Sequence, residues 1–328
     1  MRPPLQVRCQ RGLTLVELMV AMTLGTLVAI AAISALTTGR RGFATVDAAA
    51  QLRDNSRFAI DILQRLALQA GYRDVLAATM LRPGESVADA LLPGVGGFNN
   101  ATPLASDAAN KASSRKAGTT AYGSDVLVLR YQPSSTLGDS SALDDSMIDC
   151  AGTPMSGLAK PGAQIVSVLH VAIAADGEPA LMCTVPSGAV SSATPLVKGV
   201  ENFQVLYGVE NVIPHSAPDP AIPRTYRVSR FLRADQLFIS GDPAGTQANW
   251  RRVRSLRIGM VLRSSGGGDR TGDAQTLFPL GSAAVAVDGK GSTFSTADDP
   301  GTEFTPASDG RLRQAVTFTV HLRNEQDL

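Results

Sequence analysis

The run from Leu13 to Leu36, LTLVELMVAMTLGTLVAIAAISAL, is apolar enough to enter a bilayer, and it carries one ionisable residue, Glu17. About 20 consecutive apolar residues suffice for a helix to span a hydrocarbon core. A carboxylate inside such a helix costs on the order of 3 kcal/mol unless it finds a partner. Glu17 is therefore a functional candidate by default, and the first question is what pairs with it.

The flanks set the orientation. Arg2, Arg8 and Arg11 precede the run with no acidic residue among them, Gly12 separates this basic leader from the run, and Arg40 and Arg41 follow it. The positive-inside rule predicts a cytoplasmic N-terminus and a C-terminal bulk on the far side of the membrane. A secretory signal peptide or plain signal anchor has the same basic-then-apolar layout, and Ala32-Ile33-Ser34 offers a small-residue cleavage pattern. Against a disposable signal stand the length of the run and the position of Glu17 near its start.

The string Arg11-Gly12-Leu13-Thr14-Leu15-Val16-Glu17-Leu18 closely resembles the class III signal of type IV pilins and pseudopilins. In that family a prepilin peptidase cuts after the glycine on the cytoplasmic face. The new N-terminal amine is usually methylated, and the apolar helix is kept as membrane anchor and filament core. Carried over, the resemblance places the cut between Gly12 and Leu13, the methylated amine on Leu13, and Glu17 at the fifth place of the mature chain. Leu13 departs from the family pattern, where Phe is usual. The resemblance implies that the Glu17 carboxylate of one subunit meets the Leu13 amine of a neighbour. Losing one member of such a buried pair costs roughly 3–5 kcal/mol, so Glu17 would check axial register. The implied partners are the prepilin peptidase, other minor pilins, the major pilin and the inner-membrane assembly platform.

The 328 residues are 44% hydrophobic, enough for a core outside the membrane. Removing residues 1–12 takes away three arginines and leaves 27 basic against 29 acidic residues. That balance gives no bulk electrostatic reason to expect nucleic-acid binding. Cys9 falls in the leader and follows a polar stretch, unlike a lipoprotein cysteine. Cys150 and Cys183 remain as an even pair in an oxidising compartment, and a bridge between them is expected. Closing that loop is worth roughly 3–4 kcal/mol in the chain-entropy model; two free buried cysteines are the alternative. Their distance in sequence and the lack of a nearby histidine make a poor metal site.

Beyond the run, Ala49, Leu52, Ser56, Ala59, Leu63, Leu66 and Ala70 alternate in steps of three and four, one face of a helix. Ile60, Ile62 and Ala67 widen it. Asp54, Arg57, Asp61 and Arg65 occupy another face at ion-pair spacing, and Gly71 is a natural C-cap. The pattern predicts one helix from about Leu13 to Ala70, with weak points at Gly25 and at Gly39-Arg40-Arg41-Gly42. Strands are predicted at Asp125–Tyr131 and Ile165–Ile173, and by alternation around Phe203–Gly208, Leu256–Arg263 and Val316–Arg323. Residues 81–124 read as an irregular loop, and polar loops lie at 134–160, 211–223, 264–274 and 287–310. The expected fold class is α+β and pilin-like: a long N-terminal spine helix packed on an antiparallel β-sheet head. The organisation is a leader at 1–12, a transmembrane and filament-core helix at 13–40, its amphipathic continuation at 41–71, and a periplasmic head at 72–328.

Later segments extend the resemblance. Ala70-Gly71-Tyr72, Gly123-Ser124-Asp125-Val126-Leu127, the stretch Gly199–Gly208 (GVENFQVLYG), the stretch Trp250–Ile258 (WRRVRSLRI) and Val320-His321-Leu322-Arg323-Asn324 together resemble the PilW group of minor pilins. The J-type pseudopilin of type II secretion is a related but generally shorter protein. The resemblance implies a structural subunit that primes filament assembly with other minor pilins and stays near the tip.

Chemistry is sparse. His170, His215 and His321 are far apart in sequence, so no Ser-His-Asp arrangement is indicated. Gly289-Lys290-Gly291-Ser292 fails as a phosphate loop because Ala284 stands where the first glycine belongs. Asp144-Asp145 with Asp149, and Asp298-Asp299 with Glu303, are acidic loops without EF-hand spacing. Arg224, Arg227, Arg230 and Arg233, followed by Arg251, Arg252, Arg254 and Arg257, could touch DNA or an acidic partner, but no aromatic interleaving supports strand stacking. No enzyme, cofactor or metal is expected. Three readings stand: an assembly subunit, a filament-tip binding module, and an envelope enzyme behind an ordinary signal.

Overall fold

The computed structural model describes residues 12, 14–74, 91–136, 139–154, 163–187, 190–266, 275–281, 294–296 and 298–324. Helix α1 (Leu15–Gln69) runs for 55 residues, about 80 Å at roughly 1.5 Å per residue. It is helical through Gly25 and through Gly39-Arg40-Arg41-Gly42, the positions the sequence marks as weak. Good helix formers on either side outweigh these isolated glycines. Its C-terminal end is closed twice. Gly71 takes the left-handed conformation at φ +76°, and Asn324 Nδ2 donates to the carbonyls of Leu68 at 2.9 Å and Ala70 at 3.3 Å, groups that a helix end leaves unpaired.

The second half of α1 buries Ala48, Leu52, Ser56, Ala59, Leu63, Leu66 and Ala67. Ala48 takes the buried place expected of Ala49, which is half-buried. The opposite face is exposed, and Asp61 and Arg65 pair there at 3.0 Å.

The head contains two antiparallel sheets where the sequence indicated one. The first has the order β1 (Val95–Phe98), β4 (Val126–Tyr131), β7 (Ile165–Ile173), β8 (Pro179–Ser187), β9 (Val190–Lys198). The second has the order β11 (Arg230–Leu232), β10 (Val200–Val209), β12 (Val253–Arg263), β13 (Arg313–His321). Two hairpins complete the strands, β2 (Ala101–Pro103) with β3 (Ala112–Ser114) and β5 (Ser135–Thr136) with β6 (Asp139–Leu143). Helices α2 (Ala234–Leu237) and α3 (Pro243–Trp250) follow β11. Helix α1 lies against strands of both sheets, touching β4 and β9 of the first and β12 and β13 of the second.

The described part of the segment 81–124 is thus not an irregular loop: it supplies β1, β2 and β3. Its hairpin covers the outer face of β4. Val126 and Val128 pack there with Ala101 and Ala108, while Leu127 and Leu129 face the α1 side with Leu63 and Leu66. Burial on both faces explains why β4 reads as a continuous apolar run. Strand β10 is likewise buried on both faces, all but Glu201, rather than half-buried. Its Phe203, Val205 and Tyr207 enter the core. Its Asn202 and Gln204 lie beneath the segment around Gly301, where Gln204 Nε2 donates to Gly123 O.

Cys150 and Cys183 form a disulfide with their Cα atoms 5.7 Å apart. It fastens the segment after β6 to β8, and the Cys150 N–H donates to Ser167 Oγ of β7 at 3.0 Å.

Candidate functional site

The N-terminal turn of α1 builds its own cap. Thr14 is extended, at φ −78° and ψ 151°, and begins the helix. The Glu17 N–H donates to Thr14 Oγ1 at 3.3 Å, and Glu17 Oε2 accepts from the Thr14 N–H and hydroxyl, each at 3.0 Å. This reciprocal pair is a capping box, which satisfies two donors that a helix start leaves unpaired. A negative side chain in the first turn also suits the helix dipole. Thr14 is a site residue that the sequence reading passed over. Its signal was present as Thr14-x-x-Glu17 directly before an apolar run.

Only Oε2 of Glu17 takes part in the cap; among the described residues Oε1 accepts no hydrogen bond. Gly12 lies in open space, and Leu13 is outside the described residues. Every large apolar side chain from Leu15 to Leu36 is more than half exposed. By length and composition this helix can cross a membrane. A helix that is apolar on all sides has to be covered by lipid or by other protein. Gly12 and Glu17 thus stand at the N-terminal end of an apolar rod that no described residue covers and whose other end is packed in the head.

The remaining candidates are placed apart from this end. His170 is buried in β7 with Nε2 2.9 Å from Thr184 Oγ1, and burial, aided by the Arg115 charge, pulls it down to about 4. His215 Nδ1 lies 3.3 Å from Phe238 O, and His321 ends β13 in an exposed position. Asp149 accepts from its own loop, from the N–H groups of Ala151 and Thr153. Asp299 accepts from Asn99 Nδ2 at 3.0 Å. Among the described residues, no three His, Cys, Asp or Glu side chains converge as a metal site would require.

The arginine series is largely engaged inside the head. Arg254 reaches fully buried Glu210 through Nε at 3.1 Å and Nη2 at 3.0 Å, and Glu210 also accepts from Thr225 and Tyr226 N–H groups. Burial pushes Glu210 up, but these donors outweigh it and hold the carboxyl below its ordinary value. Arg233 pairs with Asp235 at 3.0 Å, and Arg251 donates to Leu91 O at 2.7 Å.

Residues 7–33 match the prokaryotic N-terminal methylation motif. Residues 168–324, from within β7 to just past β13, match the family described as type IV pilus-assembly protein W. Among solved structures the chain is similar to a type IV-like pilin from Thermus thermophilus, with 14% identity, 83% of this chain and 97% of that chain covered, and a TM-score of 0.38. No curated protein matches. The methylation motif covers the capped apolar helix and the second match covers most of the two-sheet head, and together they identify the chain as a PilW-like type IV pilin.

Proposed function

We propose that the chain is a minor pilin that primes assembly of a type IV pilus. It is cut after Gly12 by the prepilin peptidase, carries its methylated amine on Leu13, and is held in the inner membrane by α1 with the head in the periplasm. It then joins other minor pilins and the major pilin on the assembly platform and remains near the filament tip. The match to type IV pilus-assembly protein W supports a pilus over the related secretion pseudopilus.

The observation that carries this reading is the state of Glu17. One carboxylate oxygen is held by the Thr14 cap and the other accepts no hydrogen bond among the described residues, near the start of an exposed apolar helix. That arrangement supports a second, intermolecular partner without giving up the cap. The amine freed at Leu13 has the charge and the position for it.

The test has two steps. The intact mass of the protein from its own membranes should begin at Leu13, and only when the peptidase is present. A start near Ala35, or an uncut chain, would return the protein to an ordinary signal. Glu17→Ala should then insert in the membrane normally yet be depleted from sheared filaments by about tenfold or more, consistent with roughly 3–5 kcal/mol for breaking a buried charge pair. Incorporation at the wild-type level would remove Glu17 from assembly.

A further inference from the structure

A buried cation with no ion-pair partner among the described residues lies in the head, remote from the N-terminal turn. Arg130 of β4 is on the strand face that carries Val126 and Val128, beneath the β2–β3 hairpin. It is 7% exposed. Its Nη2 donates to Ala109 O at 2.8 Å and Asn110 Oδ1 at 3.1 Å, both neutral acceptors. Its Nε is buried with no partner, and Nη1 makes no hydrogen bond among the described residues. None of those residues places a carboxylate within ion-pair distance of it. Asp107 is near enough to be felt but lies 4.0 Å from Lys111 and accepts from Asn110 Nδ2. Burial pulls the Arg130 guanidinium down to about 10, against the Asp107 charge, so it remains charged at neutral pH. Arg254 and Arg313, comparably buried, each face a carboxylate. An uncompensated buried charge is strongly unfavourable, and among the described residues no carboxylate offsets Arg130.

Arg130 lines a cavity of about 500 Å³, within the usual range for small-molecule sites. Its walls are mostly apolar, with Val95 and Phe98 of β1, Ala101 and Ala112 of the hairpin, Phe238 after α2 and Trp250 of α3, and Asn99, Thr246 and Gln247 add polar groups. Gly96 keeps the guanidinium accessible, since a Cβ there would stand 2.9 Å from Arg130 Nη1. Asp235 also lines the cavity, but Arg233 occupies both of its oxygens at 3.0 Å.

We propose that this cavity binds a small organic anion: a carboxylate with an apolar body, its charge on Arg130 and its body against Phe238 and Trp250. Two sources present that chemistry, a free carboxylic acid and the C-terminal residue of a polypeptide.

Trp250 is the only tryptophan in the chain, so its fluorescence reports occupancy directly. The full chain in neutral maltoside micelles is titrated with 3-phenylpropionate, with its uncharged amide, and with acetyl-Ala-Ala-Phe bearing a free carboxylate. A saturable change with a carboxylate, about tenfold weaker with the amide, is expected from a charge-assisted hydrogen bond. Tighter binding of the free acid or of the tripeptide assigns the source. Arg130→Gln should bring acid and amide to equal affinity. Phe238, 57% exposed, can be replaced without threatening the core. Phe238→Ala should weaken both ligands alike, which keeps the test decisive if Arg130→Gln does not fold. No saturable change with any probe, or equal affinity of wild type for acid and amide, overturns the proposal.

Discussion

Between Lys198 and Val200 the chain leaves one sheet and joins the other, and a single residue makes the passage. Gly199 sits at φ +83°. Its N–H donates to Pro179 O of β8 at 2.7 Å, and its carbonyl accepts from the Arg263 N–H of β12 at 2.8 Å. Both sheets are therefore anchored through one peptide unit on each side of it. An alanine Cβ would stand 2.5 Å from Arg263 O, in a backbone conformation that costs a non-glycine residue about 1–3 kcal/mol. Gly199→Ala should lower the stability of the head by at least that amount, read as a lower denaturant midpoint, and wild-type stability would show that the crossing tolerates a side chain. At the same scale, Glu17 was legible because its message is local: one acid in an apolar run at a fixed distance from a glycine. Arg130 was not, because residues near 95, 101–112 and 234–250 must meet before the cavity it lines becomes visible.

Among the elements, those whose sequence records their burial were readable. β4 and β7 are mostly apolar runs, broken only by Arg130, Ser167 and His170, and β12 and β13 alternate. The spine helix announced its buried face through steps of three and four. β8 and β9 were missed because Pro, Ser and Thr are spread along them and β9 is a sheet edge. An edge strand needs few apolar residues and tolerates proline. β1 was missed because VGGF is short and half glycine, and only its pairing with β4 makes it a strand. The disulfide acts at this level, since the segment bearing Cys150 has only the short β5–β6 hairpin before it. Replacing both cysteines by serine should cost roughly 2–4 kcal/mol, matched by wild type under reducing conditions. A reductant-insensitive unfolding midpoint in wild type would show that the bridge carries no stability.

For the whole molecule, the two sheets are stitched by a charge network. Arg263 of β12 binds Glu178, in the turn after β7, at 2.8 Å and Glu201 of β10 at 3.0 Å. Arg311 binds Glu178 at 2.8 Å, and Arg313 of β13 binds Glu201 at 2.7 Å and Asp309 at 2.8 Å. Hydrogen bonds from Arg311 and Arg263 hold Glu178 below its ordinary value near 4.5. A carboxyl depressed by folding stabilises above its unfolded pKa and loses that contribution as pH falls through the folded one. Asp125 and Asp299 are raised by burial and run in the opposite sense, so the comparison must be made at one residue. Glu178→Gln should be less stable than wild type at pH 7, with the difference shrinking below about pH 4.5. A difference constant across that window would show that Glu178 contributes through shape alone. The joint at the end of α1 has a mechanical reading. Asn324 lies just past β13, which is paired with β12 over nine residues, and its side chain grips the last carbonyls of the helix. A pull along the rod therefore does not reach the head only through the thread at 71–74. It is shared at once with the last strand and its partner, so the head hangs from the shaft like a bead clamped on both sides of its hole.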